Sequence, residues 1–341
     1  MSPSRRPSSI TAVTAAVIAT AALGSACGVN ELRLAVPGKG DVTLNVPGAV
    51  DDGQALRAGA TSELSVITAD LARGINGGIG LVFDLSERII DLPPTDTDGD
   101  SYAVWGPSEP RGLERNSFRF TVTKVDDAQF DYRLEARAKD ASEESDFVVV
   151  WEGTSFPGGD TRGHGTLDIH WGALRAIDDS ACLIGDLSVV YATDESPRRL
   201  DVAFVEAADG CSDQTPTTAN YHYEENDDAS GVLDFAFTKN LHEIAEDKPL
   251  EEVFAVRSRW LADGQGRSDV RLSGGEIPAD LATNLPGTTA TTADIVECWD
   301  AAFNVVHTDT SPTELEPHLG HAEEGDAALC AFADASFAEL L

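Results

Sequence analysis

Residues 130–139 read FDYRLEARAK, and apolar and charged side chains alternate through them without a break. Tyr132 and Leu134 fall on one side of an extended chain, whereas Arg133 falls on the other. Successive side chains of a β-strand point to opposite faces of its sheet, so this stretch predicts a strand with one apolar and one polar face. Such strands belong to antiparallel sheets that are hydrated on one side.

The same period of two recurs along residues 101–277. There we count about eleven strand-like runs, joined mostly by short turns of Gly, Asp, Asn or Pro. Many consecutive strands that each have one apolar face must curl around a core. The clearest further examples are SFRFTV (117–122), TLDIHW (166–171), GVLDFAF (231–237) and VFAVRSRW (253–260).

Upstream, residues 53–92 have the period of an α-helix. Their apolar side chains recur at steps of three and four, which lines one helix face. Asp51 or Asp52 would cap the start, and Pro93 follows the end. The central RGINGGIG contains four glycines, each of which costs a helix about 1 kcal/mol, so the helix must bend or pack closely there. A phosphate-binding loop is the alternative, but no strand precedes it and no Lys-Ser/Thr follows.

These patterns predict a single domain at residues 53–341, in a mainly β fold with α. An N-terminal amphipathic helix (53–92) precedes an antiparallel meander of about eleven strands (101–277), curled into an open barrel. Residues 290–341 form a tail. This order of elements resembles the periplasmic lipoprotein carriers, which are unclosed barrels with helices over a hydrophobic cavity. The resemblance lies in topology over residues 53–277 and implies a cavity beneath the helix.

Residues 1–26 have the parts of a secretory signal peptide. Arg5 and Arg6 are positive, residues 10–23 are apolar, and Gly24-Ser25-Ala26 are small. The apolar run is too short to cross about 30 Å of hydrocarbon, so it predicts export rather than a transmembrane helix. An ordinary buried N-terminal helix is the alternative. We expect no other segment to be apolar enough to span a membrane.

Cys27, which follows these small residues, resembles the lipidated cysteine of a bacterial lipobox. Lipoboxes usually carry Leu where Gly24 stands, so ordinary signal-peptidase cleavage is the alternative. Gly28 stands where inner-membrane retention signals have Asp, so the resemblance implies an outer-membrane lipoprotein that faces the periplasm or the cell surface. Residues 27–52 then form the lipid anchor and a Gly- and Pro-containing tether, with a small hairpin as the alternative.

The cysteine count agrees with lipidation of Cys27. The chain has five cysteines, and an exported protein prefers its thiols paired. Opposed residues of a hairpin have a constant index sum, and the midpoint between Cys182 and Cys211 falls in the turn TDESP. These two cysteines are therefore predicted to pair, which leaves Cys298 and Cys330 to pin the tail. Four cysteines allow three connectivities, so other pairings stay open.

The composition is strongly acidic, with 59 acidic residues, 24 basic residues and a formal net charge of −35. Such a charge repels nucleic acid and anionic lipid surfaces. Adaptation to a saline habitat and a merely solubilising surface are both open as explanations. Hydrophobic residues make up 42% of the chain, which is enough for a sizeable core.

Several segments are similar to an uncharacterised lipoprotein family of myxobacteria and their relatives. The resemblance spans nearly the whole mature chain and implies an exported lipoprotein without an established activity. The segments are YAVWGPSEP (102–110), FRFTVTKV (118–125), ANYHYEEN (219–226), RSRWLADGQGRSDVRLSGGE (257–276), VECWDAAF (296–303) and GDAALCAF (325–332).

Asp96, Asp98 and Asp100 alternate around a glycine, as calcium ligands do. An EF-hand would require Gly at Ser101 and Glu at Pro107, and both are missing. The alternative is an Asp- and Gly-rich turn between the helix and the first strand. Calcium is the one cofactor that this sequence suggests.

Two further histidine motifs fall short of a zinc site. HEIAE (242–246) lacks the second His of zinc proteases, and HLGHAE (318–323) lacks an identified third ligand for His318 and His321. No Gly-x-Ser-x-Gly motif is present, and no Cys-His pair is assignable, so a hydrolase has no identified catalytic pair. We therefore expect a protein that is not an enzyme.

The aromatic residues predicted to face the barrel interior are the feature of the sequence that bears most directly on function. If they line a cavity, the protein is a binding or carrier module for an apolar ligand such as a lipid, anchored to a membrane through Cys27. If they fill the barrel, it is a structural or interaction lipoprotein. A contiguous cavity of about 300 Å³ or more favours the carrier. The positions are Trp105, Phe120, Phe235, Phe237, Phe254 and Trp260.

Overall fold

The structure is a computed structural model that describes residues 29–47, 61–109, 115–158, 163–212, 216–242, 249–316 and 323–337. The predicted signal peptide (1–26), the predicted lipidation residue Cys27, and both histidines of HLGHAE lie outside these ranges.

Fifteen strands form one antiparallel sheet, in which every strand pairs with its neighbours in sequence. The strands are β1 (Asp96–Thr97), β2 (Tyr102–Trp105), β3 (Asn116–Lys124), β4 (Phe130–Ala138), β5 (Val148–Pro157), β6 (Gly163–His170), β7 (Leu183–Ala192), β8 (Arg198–Asp209), β9 (Thr217–Glu225), β10 (Gly231–Lys239), β11 (Glu252–Trp260), β12 (Gly266–Gly274), β13 (Thr292–Trp299), β14 (Val305–Ser311) and β15 (Glu324–Gly325).

The predicted mainly β meander is therefore confirmed, but the strand count of about eleven is too low. The region 101–277 holds β2–β12, and the additional strands β1 and β13–β15 lie outside it. Residues 290–341 thus extend the sheet and are not only a tail. Within the described residues β1 and β15 each pair on one side only, so the sheet is not closed.

Besides the helical residues 29–34, the described ranges contain the α-helices α1 (Glu63–Ile90), α2 (Trp171–Ile177) and α3 (Ile277–Asn284). The N-cap of α1 is Ser62, whose side chain accepts a hydrogen bond from the Ser65 amide, rather than the predicted Asp51 or Asp52. Its C-cap is Asp91, two residues before the predicted stop at Pro93. The buried face of α1 carries Ala72, Ile75, Ile79 and Phe83.

The sheet curves around α1. Twisted open sheets of more than about ten strands do not stay flat. Here β13 meets the start of α1, where Glu297 accepts from the Leu64 amide, and β2 meets its end, where Trp105 donates to the Leu92 carbonyl. Inner side chains of β2–β11 share one core with α1, which therefore lies inside the curve.

α1 is long and apolar enough to span a membrane by length and composition, contrary to the expectation that no segment beyond the signal peptide would be. Part of it is buried against the sheet, and the core helices of soluble proteins pass the same test. We therefore describe α1 as the core helix of the curved sheet.

The segment predicted as a tether belongs to the core. Leu32, Val42 and Leu44 are almost fully buried in the cluster that also contains α1. The Asn76 side chain of α1 hydrogen-bonds both the amide and the carbonyl of Leu44, at 2.7 and 2.9 Å. The alternative hairpin is also absent from residues 29–47, which contain helical residues 29–34 and a 3-10 turn at Lys39–Asp41.

Large aromatic rings lie on glycines of neighbouring strands. At each such glycine, an added Cβ would lie 2.4–2.7 Å from an atom of the partner ring or its hydroxyl, so only a bare backbone fits. Aromatic cover of this kind fixes strand register and fills the space that a glycine leaves. The cross-strand pairs are Tyr132–Gly153, Tyr191–Gly165, Trp260–Gly231 and Trp299–Gly266.

Both predicted disulfides are present, Cys182–Cys211 and Cys298–Cys330. The second one holds the last described segment, residues 331–337, against the outer face of the sheet. There Arg259 donates to the Ala333 carbonyl at 2.7 Å, and Phe337 packs on Ala236 and Ala255. The C-terminal part of the chain is therefore both a set of strands and a pinned tail.

Candidate binding cleft

A cleft of about 540 Å³ lies between the first half of α1 and the inner face of β8–β10. Its walls are almost entirely apolar, and its volume is within the range of small-molecule sites. α1 contributes Ile67, Asp70, Leu71, Gly74 and Ile75, and the sheet contributes Phe204, Ala207, Thr217, Ala219, Tyr221 and Phe235.

Local sequence explains why the cleft opens at this place. The helix residues recur at three- and four-residue steps and so share one face, and Gly74 contributes no side chain. On the sheet, Phe204 lies opposite the small Ala219. The register of β8 against β9 then shifts between Phe204 and Ala207, with Glu206 at a positive φ of 48°. Such a bulge bends a strand and redirects its side chains, here at the wall of the cleft.

The six predicted aromatic positions divide between cavity and core. Phe235 lines the cleft. Phe237 and Phe254 continue from it as a row of rings. The ring centroids of Phe235 and Phe237 are 5.7 Å apart, and those of Phe237 and Phe254 are 5.2 Å apart. Trp105, Phe120 and Trp260 are buried in the main core instead. Trp105, Phe120 and Trp260 thus fill the interior, whereas Phe235 borders open space.

Tyr221 is a residue of the cleft wall that sequence reasoning does not single out. It is only 4% exposed, its ring lies 5.1 Å from that of Phe235, and its hydroxyl has no hydrogen-bond partner. By contrast, the Tyr132 hydroxyl donates to the Thr166 carbonyl at 2.6 Å, and the Tyr223 hydroxyl bonds Asn45. Burial raises the pKa of Tyr221, so its hydroxyl stays protonated at any physiological pH.

A buried polar seam fixes the start of α1 on the sheet. Glu297 of β13 accepts hydrogen bonds from the Ser62 hydroxyl at 2.6 Å and the Leu64 amide at 2.7 Å. Thr68 bonds the Ser258 hydroxyl at 2.6 Å, which in turn donates to Ser268 at 2.9 Å. The carboxylate thus satisfies a helix N-terminus, where a negative charge is favourable. The half of α1 that covers the cleft is held in place by this seam.

The aspartates of DTDGDS form a turn. The Asp98 carboxylate accepts from the amides of Asp100, Ser101 and Tyr102 at 2.9–3.2 Å. Hydrogen bonding from Ser101 lowers the pKa of Asp98 to about 2. Asp96, Asp98 and Asp100 do not converge as a group of ligand atoms. The one such group in the described residues is Cys182, Asp209 and Cys211, whose thiols form a disulfide.

A polar groove of about 300 Å³ on the outer face holds Asp201, His222 and Asp234, with Ser188 beside them. The Ser188 hydroxyl donates to Asp168 rather than to the histidine. Asp201, which hydrogen-bonds His222 at 2.6 Å, raises the pKa of that imidazole. Because the Ser188 hydroxyl is directed at Asp168, the described residues of this groove do not form a Ser–His pair.

His242 of HEIAE lies between two carboxylates. Its ring nitrogens are 3.2 Å from Glu252 and 2.8 Å from Asp280. Glu252 also accepts from the amides of Leu241 and Glu276. These contacts hold the segment that follows β10 against the start of β11 and against α3, so they explain His242 as a structural residue.

No family model, curated protein or solved structure matches this chain. The resemblance to a lipoprotein family and to lipoprotein carriers stays a prediction.

Proposed function

We propose that this protein is a non-catalytic binding or carrier module for an apolar ligand, which it holds in the cleft between α1 and β8–β10. The observation that supports this is an apolar cleft of about 540 Å³. Space of this size exceeds the roughly 300 Å³ at which small-molecule sites begin. A structural lipoprotein with a solidly packed interior is the alternative, and it gives no reason for an apolar opening beneath a helix.

Apolar residues that stay accessible along the helix support the same proposal. Ile67 lines the cleft and is 40% exposed, and its neighbour Val66 is 44% exposed. Contiguous apolar surface that faces water is unfavourable unless something covers it. A bound chain in the cleft would cover Ile67 together with Phe235.

Filling the cleft tests the proposal. Gly74 lines the cleft, and an added Cβ there meets no atom within 4 Å, so Gly74→Phe introduces a ring at the cleft from a position with room for its Cβ. We expect the affinity for the neutral fluorescent probe N-phenyl-1-naphthylamine to fall at least tenfold, because the ring occupies the site.

The matched control for this variant is Gly77→Phe. Gly77 lies on the same helix, is also unobstructed, and does not line the cleft. Both changes replace glycine in a helix with a better helix former, so neither should prevent folding. The control should bind the probe as the wild type does. Unaltered binding by Gly74→Phe would contradict this location of the site, and no binding by the wild type would favour the packed structural alternative.

We further propose that the protein is exported and anchored to the outer membrane by a lipid on Cys27. Two disulfides favour an oxidising compartment. Leu32 is already buried in the core, so the five residues from Cys27 reach at most about 18 Å. The domain would then lie close to the lipid surface.

The intact mass of protein purified from its own envelope tests the anchor. We expect a chain that begins at Cys27 and carries acyl groups, recovered in the membrane fraction. Cys27→Ser should lose the acyl mass and move to the soluble fraction. A wild-type chain that begins at an unmodified Cys27 would contradict the proposed acylation of Cys27, but it would still agree with export.

A further inference from the structure

We propose that the ligand of the cleft between α1 and β8–β10 is an amphiphile with a positively charged head group, such as a long-chain quaternary ammonium compound, and that this head lies beside Asp70. The inference rests on the proposed function, because it assigns the chemistry of the ligand in the same cleft. Two observations carry it: the place of Asp70 at the edge of the cleft, and a lining whose described residues include no cation.

Asp70 combines a place in the cleft lining with access to water. It lies one residue before Leu71 and four before Gly74, which also line the cleft, and 56% of its side chain is exposed. Its Oδ1 contacts Arg73 at 2.5 Å, but an exposed ion pair between residues three apart on a helix is weak. A ligand cation can therefore share this carboxylate and keep part of its hydration, which avoids the cost of burying a charge.

The charge of the lining is the second observation. Among the described residues that line the cleft, Asp70 is the charged one, and none is Lys, Arg or His. A carboxylate or phosphate in the cleft would lose its hydration without gaining a cation, which is strongly unfavourable. The net charge of −35 also repels anionic amphiphiles and attracts cationic ones.

The aromatic walls are compatible with the same class of ligand. Phe204, Tyr221 and Phe235 line the cleft, and the ring centroids of Tyr221 and Phe235 are 5.1 Å apart. Aromatic rings pack against alkyl chains, and they also attract quaternary ammonium groups. These walls therefore accept the chain of such a ligand without opposing its charge.

The test compares three ligands of equal chain length on the full mature chain, by displacement of N-phenyl-1-naphthylamine: dodecyltrimethylammonium, laurate and dodecanol. In the wild type at low salt we expect the ammonium compound to bind at least about tenfold more tightly than laurate. The difference should shrink in about 1 M NaCl, where the Debye length falls to about 3 Å. Dodecanol measures the contribution of the apolar chain.

Three variants locate the head group. Asp70→Asn should weaken binding of the ammonium compound about two- to fivefold, the value of an ion pair that is open to water, and leave dodecanol binding unchanged. The matched control Asp84→Asn changes the net charge equally on the same helix, but Asp84 does not line the cleft, so binding of all three ligands should be unchanged. Arg73→Gln removes the competing cation and should strengthen binding of the ammonium compound about twofold.

Five outcomes are decisive. The inference is overturned, while the carrier function stands, if laurate binds the wild type as tightly as the ammonium compound, if the preference is undiminished in high salt, or if Asp70→Asn and Asp84→Asn lose equally. A more than fivefold loss of laurate binding in Arg73→Gln would place an anionic head at Arg73 and would also overturn it. Failure of the wild type to bind any of the three ligands would instead overturn the proposed function.

Discussion

Replacement of Gly153 by alanine is expected to lower the free energy of unfolding by about 3–5 kcal/mol, which is exceptional for a single added methyl group. The new Cβ would lie 2.1 Å from the Thr166 carbonyl oxygen and 2.5 Å from the Tyr132 hydroxyl. Backbone cannot yield by that amount without breaking the β5–β6 pairing. If Tyr132 moves instead, a ring that is 2% exposed leaves the core together with its hydrogen bond to Thr166.

Chemical denaturation monitored by circular dichroism measures this effect, with Gly77→Ala as the control. Gly77 is a helical glycine with nothing within 4 Å of its added Cβ, so alanine there should stabilise the protein by up to about 1 kcal/mol. If alanine lowers the free energy of unfolding at Gly153 and raises it at Gly77, the contact between the Tyr132 ring and Gly153 is the cause of the loss. A loss below 1 kcal/mol at Gly153 would mean that the two strands can separate at little cost.

The sequence predicts much of the sheet because its signal is local. Alternation in FDYRLEARAK and similar runs reports which face of a strand is dry, and strands such as β2, β6 and β9 follow it. β13 and β14 are not predicted from the sequence, because their burial does not alternate. In β13, Thr292–Trp299 is half-buried at five successive positions before three buried ones. The segment 29–47 reads as a tether for a similar reason. Its apolar residues are buried by partners far away in sequence, such as Tyr223, which bonds the Asn45 amide at 3.0 Å.

The cleft is only partly visible in the sequence. Phe235 is identifiable because alternation places it on the inner face with the other aromatic residues. Tyr221 carries the same signal, since Ala219, Tyr221 and Tyr223 alternate in ANYHYEEN. What alternation cannot reveal is that the Tyr223 hydroxyl finds a partner and the Tyr221 hydroxyl does not, because that depends on where the N-terminal segment packs. A cavity is likewise a difference between packed volumes, and no local pattern encodes it.

Removal of the carboxylate in Glu297→Ala is expected to lower the free energy of unfolding by about 2–4 kcal/mol. Glu297 is 2% exposed and accepts two hydrogen bonds from the start of α1, each worth about 1.5–3 kcal/mol when the acceptor is charged. Alanine leaves the Ser62 hydroxyl and the Leu64 amide buried without an acceptor. Both donors bond the same oxygen, Oε2, and Glu297→Gln keeps one oxygen with two lone pairs, so this variant should cost less, the remaining loss coming from the weaker acceptor strength of a neutral amide.

The position of this seam makes the change informative about function as well as stability. Glu297 does not line the cleft, yet it holds the end of the helix that carries Ile67 and Leu71. In Glu297→Ala we expect faster hydrogen exchange of the amides of residues 64–71 and weaker binding of N-phenyl-1-naphthylamine, because a cleft with one mobile wall must be ordered when the ligand binds. Exchange near Ile90, at the other end of α1, should stay slow. If the whole helix exchanged faster to the same degree, α1 would open as one unit, and Glu297 would stabilise the fold without a specific effect on the cleft.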